Sequence, residues 1–544
     1  MSQKSSIEKT QAILEQKAQE AQVVYDYLVN YFNLGLKTPV TFLADASTKS
    51  ELTRNYLAEN PFPNVVAMVL AKLRRKAVTK LYEEEKVLQT PIIAAVLSIC
   101  SSLANEIGAL RGDDIKDSHI YSDISYAGLQ AIRLYMANYS DKTFKKARLA
   151  SAVRVDNAIN GSFYKYKTLD NRYVSFHVYY QSQQKKLVEA LQLNKPYDKF
   201  KLMSTKKDMK LITRHTTKWT AQTLEDTAFD CGACACVLRS RDEWEATEVG
   251  QAVKAMPLVR FNEYHGQKMS LGNDLSKGPL TGIKVLDFTH IIAGPAASRI
   301  LAEYGADVLL VRRGQFVDQE QAMLELDGWA GKDSIQLDLN KPEDLARVKE
   351  LIKEAHVITY SYQNGCFDKF GLSEKEIRAL NPNVIYANLM CFSDTVWANR
   401  PGWAPLAEDI TGLSIRNGSK EQPVNLNGVP LDYIPGFILA MGTLIAIKNN
   451  LESGRTYQVT TSLTRGAMLL HEMTDLCSQD VKASDKTEVI THNPTPIFKK
   501  SRTYVETKAI GKVGFPSPGT YNTKYPNLEQ NMSFSDGNTS FKNK

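Results

Sequence analysis

The chain lacks most of the features that would narrow its function at once. Cysteines number only 7 in 544 residues, and apart from Cys231, Cys234 and Cys236 they are scattered. An odd, scattered set is not a disulfide framework and argues for a reducing compartment. Net charge is +7, small for this length. No dense basic cluster calls for nucleic acid, and the short run Lys72-Leu73-Arg74-Arg75-Lys76 fits the wet face of a helix. No apolar run approaches the ~18 residues of a membrane-spanning helix. Met1–Gln22 mixes Glu with Lys and has no apolar centre, so it is neither a secretory signal nor a transit peptide. The terminal Phe541-Lys542-Asn543-Lys544 matches no retention or peroxisomal signal. The expectation is a cytoplasmic protein with no membrane and no nucleic-acid partner.

There is also no G-x-G-x-x-G after a strand, which argues against dinucleotide binding. Cys231-Gly-Ala-Cys-Ala-Cys has no second ligand pair at zinc spacing, so it is read as small residues in a buried turn and strand, with no metal.

What is present centres on Gly282–Gly314. Ile283–Phe288 is a β-type run, and Ala293-Gly294-Pro295 breaks it. Pro suits the first turn of a helix, where its missing N–H costs nothing. Ala296, Ile300 and Leu301 then recur at helical spacing, Gly305 ends the helix, and Val308–Val311 is a second buried-type strand. A βαβ unit of this kind builds a parallel sheet. Arg312-Arg313 at the second strand end suits a phosphorylated ligand or is a solvated strand end.

Further strands and helices alternate: Ser334–Asp338, Lys341–Ala355, Val357–Tyr360, Ser373–Leu380 with a Ser373/Glu376 capping box, Val384–Met390, Asp432–Asn450 and Gln458–Thr461. Upstream, Ser6–Leu36, Asn64–Tyr82 and Ile92–Leu103 read as helices, the last buried. Lys165–Val178 reads as a hairpin turning at Asp170-Asn171, and Ser182–Leu193 and Thr220–Ala228 as helices.

The expected fold is α/β: a Rossmann-like doubly wound parallel sheet, a smaller α+β domain and an N-terminal helical region. Its boundaries are 1–117 (helical), 118–261 (small α+β), 262–280 (a Gly- and Asn-rich linker), 281–470 (Rossmann-like) and 471–544 (extension, the last 25 or so residues a loose tail). An internal echo pairs Tyr126-Ala-Gly-Leu-Gln-Ala-Ile-Arg, followed by Lys142-Thr-Phe, with Ile434-Pro-Gly-Phe-Ile-Leu-Ala-Met, followed by Arg455-Thr-Tyr.

Gly282–Gly314 resembles the opening signature of the class III coenzyme A transferases, the CaiB/BaiF family. Later blocks match it in order: Gly331–Leu339, Phe370-Gly371-Leu372, Leu380–Ala387, Arg400-Pro401-Gly402-Trp403, Val429–Gly436 and Gly454–Val459. The resemblance implies an acyl-CoA:carboxylate CoA-transferase with CoA or acyl-CoA as substrate and no permanent cofactor. It also implies small carboxylic acids as the other substrates, and an interlocked homodimer or its equivalent within one chain.

By the same resemblance Asp432 is the nucleophile. Arg313, Lys332 and Lys369 contact CoA, and Ile291 and Ile292 lie beside the reacting carbonyl. Without the family, Asp432 before an apolar helix would be read as an N-cap. A helix N-terminus is also expected to hold it ionised.

The chain departs from the family pattern at Asp333, Arg312 and Ala404, and at Trp403, where racemase relatives carry a His. The Gly-rich loop of the family's small domain is not recognisable after residue 470; residues 156–260 resemble that domain instead. The implied organisation is a partly degenerate first copy fused to a second, with Ile124 opposite Asp432 and Asp123 one residue early. A racemase-like enzyme of this fold and a catalytically weak CoA-binding protein are the alternatives.

Overall fold

The computed structural model describes residues 3–45, 85–136, 138–139, 165–178, 181–193, 206–312, 325–479, 502–507, 511–516, 519–526, 528, 532, 534–536 and 541. The chain opens with helix α1 (Gln3–Tyr31), strand β1 (Val40–Leu43), helix α2 (Gln89–Leu110), strand β2 (Ile120–Asp123), helix α3 (Ile124–Ala131) and strand β3 (Asn138–Tyr139). A small unit follows: β4 (Lys165–Lys167), β5 (Tyr173–Phe176), helix α4 (Ala221–Asp230) and β6 (Ala235–Val237), then strand β7 (Arg260–Tyr264). The α/β part runs β8 (Lys284–Phe288), α5 (Ala293–Glu303), β9 (Asp307–Arg312), β10 (Asp333–Gln336), α6 (Pro342–Glu354), β11 (Val357–Tyr360), α7 (Glu374–Leu380), β12 (Ile385–Met390), α8 (Pro430–Ser453), β13 (Thr456–Ser462) and α9 (Leu463–Ser478). Four short strands close the chain: β14 (Arg502–Thr507), β15 (Gly511–Pro516), β16 (Thr520–Asn522) and β17 (Ser535–Asp536).

The main sheet has the order β17-β10-β9-β8-β11-β12-β13-β7, parallel throughout except for β7 against β13. β11 and β12 are buried at every residue, as strands covered on both faces must be. The doubly wound fold expected from the alternating elements is therefore observed. The order of winding reverses between β8 and β11. In such sheets the loops leaving the carboxyl ends of the two central strands diverge there and open a crevice. The Ser373–Glu376 capping box starts α7 as its residues require.

The hairpin β4–β5 turns at Asp170-Asn171, with Asn171 at φ 59°, a left-handed value that Asn tolerates. β6 completes a three-stranded sheet over a separate small core that includes Tyr166, Phe176 and Leu224. The cysteine-rich stretch ends α4, turns at Gly232 and enters β6, with Cys234 and Cys236 buried. Among the described residues no group of three or more His, Cys, Asp or Glu is placed to hold a metal.

Several expectations are corrected. Two helices, α2 and α8, are long and apolar enough to span a membrane, but in each 94% of the most apolar 18-residue stretch is buried in the fold. They pack along each other, and the Cys100 thiol reaches the Phe437 carbonyl at 3.8 Å. Residues 262–264 of the supposed linker are the end of edge strand β7. Its later part is clamped by Arg111, whose guanidinium donates to the carbonyls of Gly272, Asp274, Pro279 and Thr281. The supposed loose tail supplies β16 to β2 and β17 to β10, and buries Phe541. Helix 64–82 lies outside the described residues.

The internal echo is also placed differently. Tyr126–Ala131 sits in a short helix that follows a strand, whereas Ile434 sits in a long helix that precedes one, and Lys142 is outside the described residues. A helix–strand–helix order is shared instead by α2–β2–α3 and α8–β13–α9. β2 pairs in parallel with β1 and antiparallel with β16; β13 pairs in parallel with β12 and antiparallel with β7. Asp123 caps α3 by accepting from the backbone N–H groups of Ser125 and Tyr126, and Ser462 caps α9 in the same place.

Candidate active site

The crevice predicted by the strand order holds a cavity of about 260 Å³ lined by His290–Gly294 after β8 and Ser361–Asn364 after β11. The turn after β8 is built from beneath by Asp287. This buried carboxylate accepts from the Thr289 N–H (3.0 Å), the hydroxyls of Thr289 (2.6 Å), Ser298 (2.7 Å) and Thr359 (2.8 Å), and the Lys332 ammonium (2.7 Å). Burial alone would raise it, but the paired Lys332 cation and the four other donors hold it below the usual carboxylate range. Above it, Ile291 is held at φ 67°. That conformation is costly for a β-branched residue and persists only where its surroundings enforce it.

Asp432 enters from the opposite side on the first turn of α8. Gly436 makes this possible: a Cβ there would lie 2.4 Å from the Ala293 carbonyl oxygen, so α8 approaches α5 more closely than any larger residue allows. The cap of α8 is Val429, with no side-chain hydrogen bond, and Asp432 is the third helical residue. The N-cap reading of Asp432 therefore fails. Asp432 lines the cavity, and its carboxylate has no hydrogen-bond or ion-pair partner among the described residues. Burial pushes its carboxyl up from the ordinary 3.8 to about 7. The expectation that the helix terminus holds it ionised is thereby corrected: loss of hydration outweighs the helix dipole.

Ile291 and Ile292 line the same cavity as Asp432, so three of the sequence-predicted residues are brought together. Lys332 and Lys369 are not among the residues lining it. Lys332 is fully buried, and its ammonium is committed to Asp287, to the Ser298 hydroxyl at 2.7 Å and to the Pro295 carbonyl at 3.0 Å. It has no proton left for a phosphate, and it shapes the site from below. Lys369 is exposed on the turn Asp368–Phe370, with its ammonium over the Phe370 ring at 4.8 Å, near Cys366 at the cavity wall. Arg313 lies outside the described residues. Its neighbour Arg312 lies over the Trp329 ring at 5.0 Å.

Two further cavity residues were not singled out from the sequence. Arg400, from the matched Arg400–Trp403 segment, lies over the rings of Trp397 (3.9 Å) and Phe229 (4.3 Å) and faces Glu225 (3.8 Å) and Asp226 (3.7 Å) of α4. The family motif carried that signal. His290 is the second. It stacks on Tyr362 at 4.3 Å and meets Trp403 edge-on at 6.3 Å. A lone His in a turn carries no pattern that sequence reading could have weighed. Ala404 is buried at the start of a short helix, and Asp333 is buried at the start of β10.

A buried carboxylate with no partner among the described residues thus stands over the switch-point crevice of a doubly wound α/β sheet. Residues 280–508 match the model of CoA-transferase family III. An acyl-CoA transferase of Gibberella moniliformis is 32% identical over 51% of this chain and 52% of its own length. The succinyl-CoA--L-malate CoA-transferase alpha subunit of Chloroflexus aurantiacus is 31% identical over 32% of this chain and 45% of its own. Among solved structures, Rv3272 from M. tuberculosis is 26% identical, covering 37% of this chain and 60% of that one, with a TM-score of 0.34. The chain spans about half the length, or less, of the curated relatives it matches.

Proposed function

We propose that this chain transfers coenzyme A between an acyl-CoA and a carboxylic acid through a covalent intermediate on Asp432. The carrying observation is the buried, partnerless Asp432 carboxylate facing the β8–α5 turn across the cavity. In the reaction proposed, its oxygen attacks the thioester carbonyl carbon and expels CoA thiolate, leaving a mixed anhydride. The thiolate then attacks the aspartyl carbonyl, releasing the acyl group as a carboxylate and leaving an aspartyl-CoA thioester. An acceptor carboxylate takes the CoA by the same two exchanges in reverse. No net proton moves, and one difficult transfer is split into steps of similar energy. A carboxylate of raised basicity and little hydration suits the first attack.

Relatives carry names that fit this class, among them the formyl-CoA:oxalate CoA-transferase of Rhodopseudomonas palustris, 29% identical over 35% of this chain. We assign Lys369, on the turn after β11, and Arg313, by its place in the family motif, to the CoA phosphates. We read the recurring α2–β2–α3 and α8–β13–α9 blocks as two halves that each lend an edge strand to the other. The first turn of α2 carries no acid to match Asp432 in the first turn of α8, which leaves one site per chain.

The test is intact-mass analysis after incubation with acetyl-, succinyl- and formyl-CoA, each with hydroxylamine, for the wild type and Asp432→Asn. A hydroxamate confined to the wild type is expected. CoA binding with no adduct from any thioester would refute the transfer. His290 in the same cavity favours a competing reading, proton exchange at the carbon next to the thioester; that reading predicts deuterium uptake by the acyl-CoA in heavy water.

A further inference from the structure

His290 is the one imidazole among the residues lining the cavity, and its surroundings fix it. Its backbone N–H donates to the Ser361 hydroxyl at 3.2 Å. Its ring lies flat on Tyr362, 18° from parallel, and edge-on to Trp403 at 76°. Two aromatic walls thus leave the ring little freedom to turn. Its Nδ1 is buried with no hydrogen-bond partner among the described residues, whereas Nε2 is not enclosed in this way. Burial lowers the ring to about 4, so it is neutral near pH 7 and has one proton to place. Nδ1 lacks a partner in either tautomer, so the proton can gain a hydrogen bond only on Nε2. There it is available to a ligand in the cavity that His290 lines.

We infer that His290 Nε2–H donates a hydrogen bond to the carbonyl oxygen of the bound acyl thioester and holds the oxyanion that forms when Asp432 attacks. The inference rests on the transferase reading above. As the Asp432 oxygen bonds to the carbonyl carbon, the C=O π pair moves onto oxygen and the His290 N–H holds it. When the pair returns, the C–S bond breaks and CoA leaves as thiolate. His290 keeps its proton throughout. This supplies the donor that Ile292, with its hydrocarbon side chain, cannot. A fixed neutral donor aimed at developing charge needs no reorganisation during the reaction.

The test compares wild type with His290→Phe, which keeps the stack on Tyr362 and removes the donor, and with His290→Gln, which restores one. With succinyl-CoA and hydroxylamine, single-turnover labelling of Asp432 should fall about 100-fold or more in the Phe variant. It should recover at least partly in the Gln variant, with affinity for free CoA unchanged in both. Labelling of the Phe variant within about threefold of wild type would overturn the role of His290 and leave Asp432 standing.

A second measurement needs no turnover. The ketone isostere of acetyl-CoA, with methylene in place of sulfur, should bind wild type about 3- to 10-fold more tightly than the same analogue lacking the carbonyl. The Phe variant should lose that preference. If the wild type is never labelled, the Asp432 reading fails, and this pair of analogues alone decides for or against His290: a preference unchanged in the Phe variant overturns it.

Discussion

Replacing Asp432 with Asn should make the protein inert and more stable at the same time, and the gain should depend on pH in a defined way. In the folded protein burial raises this carboxyl from 3.8 to about 7. Between those values the unfolded chain has already lost its proton while the folded chain keeps it. The folded state therefore binds more protons, and its stability falls as pH rises. The contribution is fully present below about 3.8 and is lost as pH climbs to about 7. A shift of this size, at about 1.4 kcal/mol per unit, amounts to about 4 kcal/mol. Asn keeps the shape and has no charge to bury.

The difference in stability between the Asp432→Asn variant and the wild type should thus grow by about 2.5 kcal/mol between about pH 5 and about pH 8. With an unfolding entropy of about 2.1 cal/mol/K per residue, a chain of 544 residues shifts its melting temperature by about 1 °C per kcal/mol. Thermal unfolding of both proteins at the two pH values should show the gap widening by about 2 to 3 °C. Curves that stay parallel would refute the claim that Asp432 is a buried, strained acid. In the wild type, labelling by acyl-CoA and hydroxylamine should decline about tenfold per unit below about pH 7 as the nucleophile takes up its proton.

Other consequences follow from the packing. Lys332→Met should destabilise the fold by about 3–5 kcal/mol by stranding the Asp287 carboxylate, with affinity for CoA unchanged in the folded fraction; a selective loss of CoA affinity would return Lys332 to the binding site. Gly436→Ala should cost about 1–3 kcal/mol and depress labelling of Asp432, because its methyl group displaces α8 from the Ala293 carbonyl. Arg111→Ala should cost about 2 kcal/mol, and limited proteolysis should then cut within 272–281, the segment that Arg111 ties down.

The sheet was legible because its strands are short β-branched runs between turn residues, and that pattern acts over a few residues. Val357–Tyr360 and the capped helix after Ser373 stand where local pattern alone puts them. Asp432 and the two isoleucines were legible through the ordered family motifs. The edge strand β7 and the closing strands β16 and β17 were not, because such short polar segments become strands only when a partner edge presents itself. Composition could say that α2 and α8 are apolar, but only packing says that they cover each other instead of facing lipid.

Lys332 shows the same division. Its place in a motif is a property of the sequence, but its burial against Asp287 is a property of the fold. By itself the sequence determined the alternation of strands and helices, the family resemblance and the candidate nucleophile, since these rest on local pattern. The protonation of Asp432, the stack of His290 on Tyr362 and the removal of Lys332 from the cavity were decided by the tertiary structure, because burial and alignment depend on residues far apart in the chain.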